Sequence, residues 1–214
     1  YPITENFAED LGRAIGMFLG RSSKYPKVLV GRDTRISGST LESALARGLT
    51  AAGTSVELLG IIPTPALAHA LQNSSAVGGV IISASHNLFQ DNGFKLFDKD
   101  GGKISPEIEG VLEEILSKKR DTDSFPKPNA TVKHCSDWKT QYKDMCKAYA
   151  ESVSALKGLR IVVDCAHGSN FQVAPSILRS CGLEVEEIGC DPSGYNINLS
   201  VGSFTYRAIR VIVF

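Results

Sequence analysis

Residues 78–93 read GGVIISASHNLFQDNG, and the composition changes abruptly in the middle. Val80-Ile81-Ile82 is a short run of branched apolar residues, as in a buried strand. Ser83-Ala84-Ser85-His86-Asn87 then replaces them with small and polar side chains. A hydroxyl where a buried strand emerges sits on a rigid scaffold yet reaches solvent, and α/β proteins place their chemistry at such strand ends. Ser85 beside His86 is therefore a candidate reactive serine, and Asp91-Asn92-Gly93 supplies turn chemistry just beyond it. An ordinary loop with side-chain-to-backbone hydrogen bonds has the same composition. A Ser-His-Asp hydrolase fits poorly: neighbours on a loop rarely aim at each other, and the stretch has no G-x-S-x-G elbow.

Upstream, Thr4 reads as the N-cap of a helix over about 5–20, with Phe7, Leu11, Ile15 and Phe18 on one face. Lys27 to Gly31 reads as a buried strand, and Arg32-Asp33-Thr34-Arg35-Ile36-Ser37-Gly38 as a polar loop at its carboxyl end. Ser39 or Thr40 is expected to cap the next helix, whose face carries Leu41, Ala44, Leu45, Gly48 and Leu49 and which ends at Gly53. A strand over 56–60 and a helix from Pro63-Thr64-Pro65 to about Leu71 lead back to the opening stretch.

Downstream, 94–97 reads as a short strand, 98–102 as a turn and 106–119 as a charged helix. Residues 121–133 are poor in apolar side chains and hold Pro126 and Pro128, so a linker or surface loop is expected. A helix over 137–153, a strand opening at Arg160, a helix over 173–180 and a strand over 184–188 follow. This β-α alternation predicts an α/β fold: a three-layer α/β/α domain with a mixed sheet over 1–155, then an incomplete second α/β domain over 156–214. The apolar end Val211-Ile212-Val213-Phe214 has no cap or partner in the pattern and suggests an interrupted domain.

Composition narrows the function. The 214 residues are 43% hydrophobic and 21% charged with zero formal net charge, which argues for a globular core and against nucleic acid or a membrane surface as partner. No run reaches the roughly 18 apolar residues of a spanning helix. Residues 1–6 are polar and acidic, unlike a signal peptide. The five cysteines are odd in number and lack C-x-x-C spacing, so free thiols and a cytoplasmic setting are expected rather than disulfides or structural zinc. His69 reads as a surface or satisfied histidine, and His134 beside Cys135 lacks further ligands.

Five segments together carry a resemblance: GRDTRISG at 31–38, SASHN at 83–87, DNGFKLF at 91–97, IVVDCAHGSN at 161–170 and DPSGYNIN at 191–198. In this order and spacing the chain resembles the α-D-phosphohexomutases, most closely their bacterial phosphoglucosamine mutase branch. That family moves a phosphate between the C6 and C1 oxygens of a hexose through a phosphoserine and a bisphosphorylated intermediate. The resemblance implies that Ser85 is the phosphoserine, that its phosphate helps hold a Mg2+, and that a hexose phosphate is the substrate. It places His86 and Lys95 at the active site, polarising hydroxyls or phosphates and sharing proton transfer. Without the family, Lys95 is equally a solvated lysine at a strand end.

Arg32, Asp33 and Arg35 fall in the GRDTR loop, where an arginine can steady Ser85 or its phosphate; an arginine–aspartate pair bracing the loop is the alternative for Asp33. Asn87 is expected to shape the loop rather than react, and His167 reads as a structural loop residue. Association into a homo-oligomer is left open.

The departures are equally specific. The family's T-D-G-I-R strand, its D-G-D-x-D-R loop with three metal carboxylates, its sugar-reading loop and its C-terminal phosphate-binding domain have no counterpart in these residues. Leu88 stands where the family usually has Pro, and Gly202-Ser203-Phe204-Thr205 departs from its usual Gly-Ser-Thr-His. The expectation is a mutase whose 214-residue chain is inactive alone; a non-catalytic fragment that binds phosphosugar or a full-length mutase is the competing reading, and phosphomannomutase or phosphoglucomutase the neighbouring branch.

Overall fold

The computed structural model describes residues 3–21, 23–118, 129–151 and 157–203. The strand of the opening stretch is β3 (Gly78–Ile82), and all five of its residues are buried. A strand buried on both faces needs apolar side chains in succession rather than in alternation, which Val80-Ile81-Ile82 provides. It pairs in parallel with β1 (Lys27–Arg32) and antiparallel with β4 (Phe94–Asp98). β2 (Ser55–Ile61) pairs in parallel with β1 on the other side, giving a mixed sheet of order β4-β3-β1-β2-β5.

The fifth strand, β5 (Val132–His134), corrects the sequence reading of 121–133 as linker. Its three residues are exposed, so no apolar pattern announces it. It exists through backbone pairing with Val56, Glu57 and Leu58 of β2.

Helices cover both faces. α1 (Glu5–Leu19), α2 (Gly38–Ala51) and α4 (Pro106–Ser117) pack with Val28, Val30, Val56, Leu58, Val80 and Ile82 into one core. α3 (Thr64–Gln72) and α5 (Asp137–Glu151) pack on the opposite face, over Leu29, Leu59, Ile62 and Ile81. The alternation of Val28, Leu29 and Val30 between the two cores is the period of a strand. Truncating a side chain such as Leu45, fully buried between α2 and the sheet, costs about 2–5 kcal/mol.

α1 and α2 cross closely because Gly12 and Gly48 lie at the contact. A Cβ on Gly48 would run into the Glu9 carbonyl, and one on Gly12 into that of Leu45. Thr4 caps α1 as expected, its hydroxyl accepting from the Phe7 amide at 3.2 Å. Phe7 itself is 43% exposed and rests on Phe94 instead of entering the core. α2 starts at Gly38, with Ser37 at the N-cap, two or three residues earlier than the Ser39 or Thr40 expected.

A second, two-stranded parallel sheet joins β6 (Arg160–Asp164) and β7 (Glu184–Ile188), with α6 (Ala174–Ser180) between them. A parallel pair joined through a helix is the common β-α-β unit. The expected boundary near Ala155 and the tail from Phe204 lie outside the described residues. Among the described residues, no helix is long and apolar enough to cross a membrane.

Candidate functional site

Strands β1 and β3 run side by side, so the loops at their carboxyl ends meet. The Asp33 amide donates to the Ile82 carbonyl at 3.1 Å, which carries the pairing one residue beyond β1. The two loops are then fastened by Arg35. Its side chain is fully buried and ion-paired to Asp33, whose other oxygen accepts from the Arg35 amide at 3.0 Å. One guanidinium nitrogen, Nη2, donates to the Asn87 carbonyl at 2.6 Å and the Ser85 carbonyl at 3.3 Å.

A buried arginine is tolerable only with an anion and several acceptors around it, and Asp33 with the 85–87 backbone supplies them. Arg35 and Asp33 thus brace the loop, and the guanidinium is spent on main-chain carbonyls.

Ser85 is exposed and its backbone is left-handed, φ 56°. That conformation costs a non-glycine residue about 1–2 kcal/mol, and the surrounding hydrogen bonds hold it there. Its amide donates to the Ser83 hydroxyl at 3.1 Å, and the Asn87 amide to the Ala84 carbonyl at 3.2 Å. Asn87 shapes the far side: its amide group donates to Asp91 Oδ2 at 2.9 Å. Asn92 ties the base of the loop to the Ser37 hydroxyl at 2.9 Å, and the Ser83 amide donates to the Gly93 carbonyl.

His86 is exposed next to Ser85 and lines an open hollow with Asn87, Leu88, Gln90 and Asp91. Lys95 lies on β4 opposite Ile81, on the strand face it shares with Phe97. Arg32 reaches the adjacent Asp33 carbonyl through Nη1 at 3.5 Å and α2 through Nε. Its Nε donates to Glu42 Oε2 at 3.3 Å on α2. Burial raises the Glu42 pKa above its ordinary 4.5; the nearby Arg32 charge and hydrogen bond, and His134, offset only part of that.

Two residues beyond these complete the site, both from or toward the second sheet. Asn198, itself at φ 59°, donates its amide to the Ser85 carbonyl at 3.0 Å and the Asn87 carbonyl at 2.8 Å. Thr34 donates its hydroxyl to the His167 carbonyl at 2.5 Å. The Ile36 amide donates to the Gly194 carbonyl at 3.0 Å, and Phe89 meets Tyr195 edge-on with centroids 5.3 Å apart. Asn198 falls in the DPSGYNIN segment, so the sequence drew attention to the segment without saying what its last asparagine touches.

His167 has its ring engaged as well, Nδ1 accepting from the Asp191 amide at 3.2 Å. Burial first, then the adjacent Cys165 thiol, pushes the Cys190 thiol up to about 12. A thiol so raised is protonated at neutral pH.

Residues 1–123 match the family model "Phosphoglucomutase/phosphomannomutase, alpha/beta/alpha domain I", which spans the five-stranded sheet through β4 and the whole Ser85 loop. The chain belongs to this family. Curated family members from Actinobacillus succinogenes and Chromohalobacter salexigens, both named phosphoglucosamine mutase, are each 44% identical to it, over 98% and 99% of this chain and 47% of their own lengths. The chain therefore spans about half the length of the curated relatives it matches. Among solved structures, a phosphoglucomutase/phosphomannomutase family protein from Burkholderia thailandensis superposes with a TM-score of 0.70 at 26% identity, covering 90% of this chain and 42% of that one. The mixed-sheet α/β architecture is thus the family's own.

Proposed function

We propose that this chain is the phosphoryl-carrying portion of a phosphoglucosamine mutase, an enzyme that interconverts glucosamine 6-phosphate and glucosamine 1-phosphate. Ser85 carries the reading: an exposed serine at the carboxyl end of a fully buried strand, its left-handed backbone held by a buried arginine. The names and 44% identity of the Actinobacillus and Chromohalobacter relatives favour this branch over phosphomannomutase or phosphoglucomutase. On this reading residues 1–155 form the phosphoserine domain and 156–214 part of the next.

The chemistry is a reversible transfer. A sugar hydroxyl oxygen bonds to the phosphorus of phosphorylated Ser85, the bond from phosphorus to Ser85 Oγ breaks, and the sugar leaves as a bisphosphate or returns the other phosphate to Ser85. The hydroxyl proton goes to a neighbouring base while Oγ regains one. His86, exposed beside Ser85, and Lys95, on the adjoining strand, are the residues assigned to polarise hydroxyl and phosphate oxygens. Arg35, Asp33 and Asn87 hold the loop, and Arg32 stays on Glu42 as a support of the β1 end.

The family's Mg2+ would take a phosphate oxygen on Ser85 as one of its oxygen ligands and draw charge off the transferring group. Among the described residues, however, no three His, Cys, Asp or Glu side chains converge. The described residues do not complete an octahedral set. That observation also favours a narrower reading for the isolated 214 residues: binding of a phosphosugar, or acceptance of a phosphate, without turnover.

The test is direct. The chain is incubated with glucose 1,6-bisphosphate, and its intact mass and phosphopeptides are read. One phosphate on Ser85, absent from Ser85→Ala, is the expected result. Phosphate found elsewhere, or equal labelling of Ser85→Ala, overturns the assignment of Ser85.

A further inference from the structure

Two donors, one from each α/β unit, converge on the same two carbonyls. Arg35 Nη2 and Asn198 Nδ2 each donate to Ser85 O and to Asn87 O, at 3.3 and 2.6 Å and at 3.0 and 2.8 Å. Both of Asn198's partners are backbone carbonyls, which only accept, so its amide must present the NH2 group there; the opposite rotamer would set oxygen against oxygen. Asn198 is 111 residues along the chain from Asn87 and reaches it from the loop after β7. Its own left-handed φ of 59° is a conformation that asparagine tolerates better than most residues. The same loop is pinned at its base, where the Asn198 amide nitrogen donates to the Ala166 carbonyl at 2.8 Å, and Ala166 donates to Asp164 Oδ1 at 2.8 Å.

We infer that Asn198 is a positioning residue for Ser85, by which the second α/β unit sets the backbone geometry of the reactive serine. Arg35 holds the loop from beneath, through a charge fixed on Asp33. Asn198 closes it from the second unit's side. With both donors in place the peptide plane after Ser85 is fixed, which restrains Ser85 ψ; with the Ser85 amide held on the Ser83 hydroxyl, the left-handed turn is kept and the hydroxyl stays presented. With only Arg35, whose contact to Ser85 O is the longer one, residues 85–87 are free to relax toward extended backbone. The inference rests on the reading of Ser85 as the phosphate carrier for its functional meaning, but its structural content stands apart from that reading.

The experiment uses the 214-residue chain and compares wild type, Asn198→Ala and Asn198→Asp. Hydrogen exchange is read at the amides of Ser85 and Asn87 and, as a control for folding, at Leu29 and Val80 in β1 and β3. Both substitutions are expected to speed exchange at Ser85 and Asn87 about tenfold or more while leaving Leu29 and Val80 unchanged. The two variants then separate with pH. A carboxylate facing two carbonyls repels them, whereas a carboxylic acid donates one hydrogen bond back.

Loop protection in Asn198→Asp should therefore recover partly below about pH 4, and in Asn198→Ala it should not move. Arg35 with its partner Asp33, and Asp91 hydrogen-bonded to the Asn87 side chain, are charged groups beside this point; Arg35 draws the recovery toward lower pH and Asp91 opposes it. Unchanged loop exchange in both variants, or a pH-independent loss in Asn198→Asp, overturns the inference. In parallel, the rate of Ser85 phosphorylation by glucose 1,6-bisphosphate is measured against bisphosphate concentration. A lower maximal rate at an unchanged half-saturating concentration is expected for Asn198→Ala. No labelling of wild type would count against the phosphoserine reading alone, because the exchange data decide the role of Asn198 by themselves.

Discussion

Two loops leave the carboxyl ends of parallel strands, residues 83–87 after β3 and 165–170 after β6. Both hold non-glycine residues in the left-handed region, Ser85 at φ 56° and Ala166 and His167 at φ 52° each. Both carry a histidine beside a small residue. Their polar groups go to different ends. After β6, the His167 carbonyl accepts from Thr34, its ring accepts from Asp191, and Asp164 takes the amides of Ala166 and Gly202. That loop is consumed by docking. After β3, the backbone carbonyls are taken by Arg35 and Asn198 while the Ser85 side chain stays exposed. What separates a presenting loop from a docking loop here is the buried cation beneath it. The strands beneath follow suit: β3 is buried throughout, whereas β6 and β7 are half-buried or exposed along their lengths.

The sharpest way to break this comparison is Arg35→Ala. It leaves Asp33 charged and 4% exposed, without its partner, and removes a donor from two carbonyls. Breaking a buried pair from one side costs about 3–5 kcal/mol. Urea denaturation of the variant against wild type is the measurement. A loss below about 1 kcal/mol would place the pair among weak surface bridges and remove the distinction between the loops. Arg35→Lys, which keeps a charge without the planar fork, should recover only part of the stability.

The contacts between the second unit and the GRDTR loop should yield to smaller changes. Gly194 sits at φ 91°, and a Cβ there would meet the Ile36 Cβ at 3.2 Å. Gly194→Ala is expected to cost about 1–2 kcal/mol, read as faster hydrogen exchange at Ile36, whose amide donates to Gly194. Thr34→Val keeps the buried shape and removes the donor to His167, for about 1 kcal/mol. Limited proteolysis within 165–170 should speed up in both variants while cleavage in α2 does not. Equal acceleration in α2 would show that the two units unfold together and that docking is not a separate event.

Much of this was legible from sequence because the first unit is built on strong periodicity. Val80-Ile81-Ile82 has the composition of a buried strand, and Thr4 before an apolar stripe reads as a helix start. β5 was not legible, because Val132–His134 is exposed on all three residues and owes its strand to a neighbour's free edge. The start of α2 was misplaced because Ser37, Ser39 and Thr40 are all good caps by type, and Ser37 takes the N-cap without a side-chain hydrogen bond.

At the site, Ser85 and the GRDTR loop stood out as types at strand ends. That Arg35 would turn inward to the loop's carbonyls while Arg32 turns to α2 follows from packing, not from spacing. Asn198 was hidden for a stronger reason: its partners are backbone atoms more than a hundred residues away, and backbone carbonyls leave no signature in sequence.

The smallest effect tests what holds Arg32 on α2. Glu42 is buried, with Oε2 accepting from Arg32 and Oε1 without a hydrogen-bond partner. Burial raises its pKa above 4.5, and the nearby charges of Arg32 and His134 only partly reverse that. The folded chain therefore binds this proton more tightly than the unfolded chain, and stability falls as pH rises from the ordinary value through the raised one. The contribution is fully present below about pH 4.5 and lost above the folded-state value. Glu42→Gln cannot titrate, so the stability of wild type relative to this variant should decline as pH rises through that window, in urea titrations at closely spaced pH. A relative stability that instead climbs with pH would mean that Arg32 outweighs burial and that the Arg32–Glu42 pair is a net stabilising bridge. Arg32 would then be held on α2 by its attraction to Glu42.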